Sequence, residues 1–502
     1  GCRPMIRLSE LAALSDRSTV SGDIAISGVR QDSRAIEPGD LFVAIHGQRF
    51  DGHDLIGEAV ARGAVAIAVE HGRSGCVPDG VPFVAVPSTR ASIATWAVRV
   101  YGDPTRRLHV TGVTGTNGKT TTVRLVDAIA RAAGEVTGTV GTLGATIAGD
   151  DIAHDRTTPE ACDLQRLFAM MASRGAGSVA MEVASHALAL GRVDGTLFDT
   201  MVFTNLTQDH LDFHGTMDAY REAKMLLFTE HAQSARSAGK HPVVVVNHDD
   251  EAGRAITARH RGERLLTYSP AGDCAADLVA ETIEMRADRL VFRAKTPVGD
   301  IPASLRFGGT FQLANALAAI GAAVGRGFSP ETIAAGLSRC PPVPGRFEPV
   351  DAGQQFPILV DYAHTPDGLR NVLESARPLV SRNLIVVFGC GGDRDRTKRP
   401  AMGQIAQSLA DRVIVTSDNP RTEDPESIVA QIMAGVDAGQ GTVSAVVDRR
   451  AAIHCALAMA QSGDVVVIAG KGHETYQEIG RERFAFDDRV VAREEWHRCS
   501  SR

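Results

Sequence analysis

The sequence predicts an α/β fold in three domains, and three observations carry that reading. First, short β-branched runs recur between Gly, Pro or Asp: 65–69, 108–111, 243–246, 358–361, 384–388, 413–416 and 465–468. Uninterrupted apolar runs of this length suit parallel strands buried on both faces. Second, Ala/Leu-rich stretches with helical character lie between them, as in 315–325 and 449–461; strand alternating with helix is α/β architecture. Third, 502 residues divided by roughly 150 per domain gives about three domains. Two breaks fit that number. Gly102-Asp-Pro104 precedes a strand and a glycine-rich turn, and Cys340-Pro-Pro-Val-Pro-Gly345 cannot continue a helix. The expected domains are 1–103, 104–339 and 340–502.

Composition excludes several classes. With 44% apolar residues and a net charge of -7, the chain is not disordered. No apolar run approaches the ~20 residues that cross a bilayer, so membrane insertion is not expected. The negative balance argues against binding nucleic acid through bulk charge. The eight Cys form no C-x-x-C pair, which fits free thiols in a reducing cytoplasm. No charged segment followed by an apolar one opens the chain, so no signal peptide is expected.

The stretch Val110-Thr-Gly-Val-Thr-Gly-Thr-Asn-Gly-Lys-Thr-Thr-Thr-Val123 is the most informative. A strand ends in Gly112, Gly115 and Gly118, and Lys119-Thr120 opens a helix. Glycines let backbone N–H groups approach phosphate oxygens, and the helix dipole favours an anion. Lys119 would reach the β/γ-phosphates, and the Thr120 hydroxyl would bind Mg²⁺. The strict G-x-x-x-x-G-K-[ST] spacing fails, because its first Gly falls on Val113.

Gly115-Thr-Asn-Gly-Lys-Thr120 resembles the ATP loop of the Mur ligase superfamily, which joins amino acids to a growing peptide. Ordered motifs extend the resemblance from about Asp32 to Asp488. It implies an N-terminal α/β UDP-binding domain, a central P-loop ATPase domain with a mostly parallel sheet, and a C-terminal Rossmann-like domain for the amino acid. It also implies ATP contacts at Gly115, Thr116, Asn117, Gly118, Lys119, Thr120 and Thr121.

Met181-Glu-Val-Ala-Ser-His186, Asn205-Leu-Thr-Gln-Asp-His-Leu-Asp212 and a helix expected over 218–231 follow. Read bare, Glu182 is a strand-end acid, His210 a polar loop residue and Lys224 a solvated helix lysine. The resemblance instead implies Mg²⁺ ligands at Thr120, Glu182 and His210, with Lys224 carbamylated by CO₂ as a further oxygen ligand. Lys119, Glu182, His210, Lys224 and Arg346 would be the catalytic set.

The resemblance places Asn315 near adenine, Arg346 facing the ATP phosphates, and Asp361 and His364 near the ribose. Gln312 stands where the family usually has Asn, and carries no assigned role. Ser33, Gln48, Arg49, Phe50, Thr157, Thr158, Ser185 and Arg192 would contact a UDP-muramoyl dipeptide. Ala184 replaces a usual Ser beside them. Arg394, Asp418-Asn-Pro-Arg421, Gly470 and Glu474 would hold the incoming amino acid. D-N-P-R marks family members that add meso-diaminopimelate, whose second carboxylate an arginine can grip through two parallel N–H bonds.

The implied activity is ATP-dependent amide-bond formation on a peptidoglycan precursor through an acyl phosphate, by a cytoplasmic monomer acting on small molecules. The rivals are a lysine-adding relative, a specialised paralogue, a folylpolyglutamate synthase, and a P-loop ATPase that moves a partner without ligating anything.

Overall fold

A computed structural model describes residues 5–47, 50–154, 156–260, 264–437 and 443–500. The chain divides into two compact units, one of Gly1–Thr114, Gly134–Met201 and Ala223–Val243, the other of Gly115–Ala133, Val202–Glu222 and Val244–Arg502.

The first unit holds a five-stranded sheet in the order Thr19–Ser21, Phe83–Val86, Ala66–Glu70, Asp40–Val43, Gly28–Arg30. Its first pair is antiparallel and the rest are parallel. Side chains alternate between two cores. Leu41 and Val43 join Trp96 on one face, while Phe42 joins Ile56 and Ile67 on the other. Nearby in sequence, β1 (His109–Thr114) pairs in parallel with β2 (Ser178–Glu182), with Val113 opposite Glu182. β2 also pairs in parallel with Thr137–Gly141, which a hairpin strand, Gly144–Ile147, extends.

In the second unit, α1 (Lys119–Ala132) packs against α2 (Phe311–Arg326) and the helix Pro330–Arg339. A Cβ on Gly336 would sit 2.4 Å from the Ile129 Cα, so only glycine permits this approach. A six-stranded sheet follows in the order Glu348–Pro349, β3 (Ile358–Asp361), β6 (Val465–Ala469), β4 (Leu384–Phe388), β5 (Arg412–Val415), Val443–Ala445. All pairs but the first are parallel. Leu384, Val386 and Phe388 enter one core and Ile385 and Val387 the other. The apolar runs in the sequence are continuous because both faces are covered.

The expected helix 218–231 is corrected. The α-helix is Met217–Met225, then Leu227–His231 forms a π turn, and Ala232–Ser237 resumes the helix. The wider turn is closed by the His231 N–H donating to the Leu226 carbonyl at 3.1 Å. Among the described residues, no helix is long and apolar enough to cross a membrane, and the seven cysteines are free thiols.

Arg449, at the start of the helix Arg449–Met459, is completely buried against an equally buried Asp488. Its Nε and Nη2 donate to the carboxylate at 2.8 and 2.6 Å, and it also donates to the carbonyls of Ser417 and Ala469, just beyond β5 and at the end of β6. Removing one partner strands the other charge in the core. Asp488→Ala is expected to lower stability by about 3–5 kcal/mol, measured by urea denaturation. A loss inside experimental error would show that the pair is dispensable.

Candidate active site

The glycine-rich turn after β1 folds as it does because two of its glycines have no alternative. Gly115 has φ 152°, and a Cβ there would lie 1.8 Å from Thr204 Oγ1; Gly118 has φ 87°, with a Cβ 2.2 Å from Asn315 Oδ1. The turn is pinned to the 204–207 segment. The Thr116 N–H donates to the Asn205 carbonyl (2.8 Å), the Asn117 N–H to Asn205 Oδ1 (2.9 Å), and Thr204 Oγ1 to the Asn117 carbonyl (2.6 Å). Lys119 Nζ donates to the Gly115 and Thr116 carbonyls at 2.9 and 2.8 Å, so its ammonium sits inside the loop it belongs to. Thr120 and Thr121 are buried in the first turn of α1.

Several residues from beyond position 340 reach this loop. Arg346 Nη2 donates to Thr120 Oγ1 at 3.2 Å, and its guanidinium lies 4.7 Å from the centre of the Tyr362 ring. Asn117 Nδ2 donates to Asp367 Oδ2 at 2.7 Å; the same oxygen accepts from Thr207 Oγ1 and Asn371 Nδ2. Asp361 is buried, and burial raises its pKa to about 6 against the opposing charge of Arg346. It accepts the Phe347 N–H at 2.7 Å. His364 Nδ1 lies 2.8 Å from the Tyr362 carbonyl, which requires that nitrogen to carry the proton. Burial and then Lys398 depress its pKa. Asn315 Nδ2 donates to Gln312 Oε1 at 2.7 Å, so Gln312, given no role by the sequence, orients the residue three positions on.

His210 stands at the entry to Leu211–His214 with φ 55°, its Nε2 3.3 Å from Asp209 Oδ2. Burial opposes the Asp209 charge, yet His210, His364 and Lys398 hold its carboxyl below the usual range.

In the first unit, Glu182 ends β2 buried. Its two oxygens accept the Thr142 N–H (2.8 Å) and the Thr142 hydroxyl (3.1 Å). Thr157 Oγ1 lies 3.1 Å from the same hydroxyl. Thr158 Oγ1 donates to the Glu182 carbonyl at 2.8 Å and accepts the Ala184 N–H at 3.1 Å. Ala184 occupies the N-cap of Ser185–Ala189 and makes no side-chain cap. Ser185 is buried directly after it. Arg192 Nε lies 3.0 Å from Glu160, whose carboxylate also takes Arg156. Burial lowers the Arg192 pKa despite Glu160, and Arg156 and Arg90 add like charge. Two guanidinium groups thus share the Glu160 carboxylate. Ser33 is buried and donates to Glu58 at 3.1 Å, whereas Phe50 is 81% exposed. Gln48 and Arg49 lie outside the described residues. The solvated reading of Lys224 is corrected: that residue is 2% exposed.

The C-terminal sheet gathers the remaining residues by topology. Loops after β3, β6, β4 and β5 all leave from the same end, because these strands run parallel; that crevice is where open α/β sheets bind ligands. A Cβ on Gly391 would lie 3.0 Å from Arg421 Nη1 and 3.9 Å from Arg394 Cγ, so both arginines flank it. Arg421, at φ 51°, donates from Nε to Glu478 at 3.0 Å and from Nη1 to the Gly392 carbonyl at 2.8 Å. The Pro420 carbonyl closes on Gly392, where a Cβ would lie 1.9 Å away. Asp418 is buried against Gly470, and Asn419 Nδ2 donates to Glu474 at 2.7 Å. Sequence reasoning missed Thr142, Glu160, Asp367, Lys471 and Glu478. Two of these had a signal: Lys471 lies inside Gly470-Lys-Gly-His-Glu474, between two assigned positions, and Asp367 closes Asp361-Tyr-Ala-His-Thr-Pro-Asp367.

Residues 25–100 match the model of the Mur ligase family catalytic domain, 113–323 that of the Mur ligase middle domain, and 345–472 that of the Mur ligase glutamate ligase domain. A UDP-N-acetylmuramoyl-L-alanyl-D-glutamate–2,6-diaminopimelate ligase of Geobacillus thermodenitrificans is 48% identical over 474 residues, 94% of this chain and 95% of that protein. The chain belongs to the Mur ligase family. A Gloeobacter violaceus protein of the same name is 46% identical to this Mur ligase, over 99% of this chain and all of the other. A solved structure of a ligase bearing that name superposes on this Mur ligase with a TM-score of 0.68 at 33% identity, covering 98% and 99% of the two chains.

Proposed function

We propose that this Mur ligase adds meso-diaminopimelate to the D-glutamyl side-chain carboxylate of UDP-N-acetylmuramoyl-L-alanyl-D-glutamate, consuming ATP. The products are the UDP-muramoyl tripeptide, ADP and phosphate. The observation that carries the reading is Arg394 and Arg421 flanking Gly391 in a loop cluster that also holds Asp418, Asn419 and Glu474. Two arginines answer the amino acid's carboxylates, and the acidic group answers an ammonium. The names of the relatives point the same way.

The substrate carboxylate attacks the γ-phosphorus of ATP, giving an acyl phosphate and ADP. The amine of diaminopimelate then attacks the acyl carbon, and phosphate leaves. Lys119 and Arg346 neutralise charge on the transferring phosphoryl group, a role of position and electrostatics. His364 and Asp361 border the nucleotide, with Asn315 beside its base. Thr120, Glu182, His210 and a carbamylated Lys224 would hold Mg²⁺; the hard oxygens of Thr120 and Glu182 suit that ion. When bound, it supplies further positive charge against the phosphates. Arg192, Thr157, Thr158, Ser185, Ser33 and the exposed Phe50 serve the UDP-muramoyl end. The segment 1–103 serves the UDP-muramoyl end, 104–339 contributes to both that end and the ATP, and 340–502 contributes to the ATP and holds the amino acid. The free thiols support a cytoplasmic setting.

Phosphate release is expected to require both the UDP-muramoyl dipeptide and diaminopimelate, with the tripeptide identified by mass. Basal ATP hydrolysis indifferent to either substrate would defeat the ligase reading. Equal product with lysine would defeat the amino-acid assignment.

A further inference from the structure

Lys471 is 0% exposed, an unusual place for an ammonium group. Its Nζ donates to Asn419 Oδ1 at 2.9 Å and Glu474 Oε2 at 3.2 Å, lies 4.0 Å from Asp418 Oδ1, and sits 5.7 Å from the Tyr476 ring centre. Both ends of the Asn419 amide are engaged. Its Oδ1 takes Lys471 and the Glu478 N–H (2.9 Å), and its Nδ2 gives to Glu474. Two carboxylates and one ammonium leave the cluster with a single net negative charge. Without the ammonium, two buried carboxylates would face each other uncompensated, and one would take up a proton.

We infer that Lys471 is a positioning residue for the incoming amino acid: its buried ammonium holds Glu474 and Asn419 in the arrangement that receives the amino acid's own ammonium. This deepens the reading above and rests on it. Burial raises the Glu474 pKa, Asp418 raises it further, and Lys471 and Asn419 oppose both. The other groups facing Glu474 are Tyr362, Tyr476 and Arg449. Of these, Arg449 is charged and already paired with Asp488.

The sign follows. Glu474 receives an ammonium only when ionised, so activity towards the amino acid falls as pH drops through its pKa. Removing Lys471 raises that pKa, so the acid limb must move to higher pH.

The test compares the full-length wild type with Lys471→Met, Glu474→Gln and the double variant, using diaminopimelate, ATP and UDP-muramoyl dipeptide. In Lys471→Met, KM for diaminopimelate is expected to rise about tenfold or more at neutral pH, the size of an interaction lost from a buried charged group. KM for the other two substrates should stay within about twofold. The acid limb of kcat/KM for diaminopimelate should shift up by about one pH unit. In the Glu474→Gln background, adding Lys471→Met should move the limb no further. An unmoved limb, or equal rises in all three KM values, would overturn the inference. Should Lys471→Met not fold, a fully wild-type KM for diaminopimelate in a folded Glu474→Gln would overturn it equally. A wild type that makes no diaminopimelate product overturns the functional reading instead, so the two failures are distinguishable.

Discussion

Lys224→Ala is expected to lower turnover by about 10³-fold or more, with acetate or added CO₂ restoring part of it; losing one preorganised charge in a phosphoryl-transfer site alone costs about 10²–10³. Lys224 lies in the helix Met217–Met225 and is 2% exposed. Carbamate formation needs an amine that has lost its proton, and burial favours the uncharged form of a lysine. In the proposed modification the amine nitrogen would bond to the carbon of CO₂ and release a proton, turning a cation into an oxygen ligand. A small carboxylate diffusing into the space left by alanine replaces those oxygens but not their tether. Steady-state assays with and without acetate measure this. Full activity in the alanine variant would sink the assignment.

The second large effect concerns selectivity. Arg421→Met should collapse the preference for diaminopimelate over lysine by about 10²-fold or more, read as the ratio of kcat/KM values. The family resemblance implies that lysine would leave Arg421 unpaired, which rejects an analogue by up to about 10⁴–10⁵. The structure lowers that ceiling, because Glu478 already accepts from Arg421 Nε at 3.0 Å. When lysine binds, the guanidinium keeps this partner and the desolvation penalty is smaller. A preference unchanged in Arg421→Met would remove the arginine from the recognition site.

What the sequence made legible was local. The strands at 384–388 and 465–468 could be read because double-sided burial writes itself as continuous apolar runs. The loop at 115–120 could be read because its glycines, lysine and threonine are consecutive. Pairings between distant residues were not legible. Nothing around Thr142 signals that its N–H and hydroxyl would hold Glu182. Glu160 looks like a surface acid until Arg156 and Arg192 fold onto it. The π turn at Leu227–His231 was invisible because it leaves the helical apolar spacing almost intact. Lys471 reads as a turn lysine, and only the sheet order, which brings the end of β6 beside those of β3 and β4, puts it out of water.

Asp367 Oδ2 accepts from Asn117 in the glycine-rich turn and from Asn371 in the helix Pro366–Ala376. That helix follows β3, which is paired with the strand leading into Gly470. Any coupling between the turn and that strand would travel along this chain of contacts. Such coupling is reciprocal: whatever factor the nucleotide applies to amino-acid affinity, the amino acid must return. A compound wedged at the Asp367–Asn117 contact would break that chain at its first link.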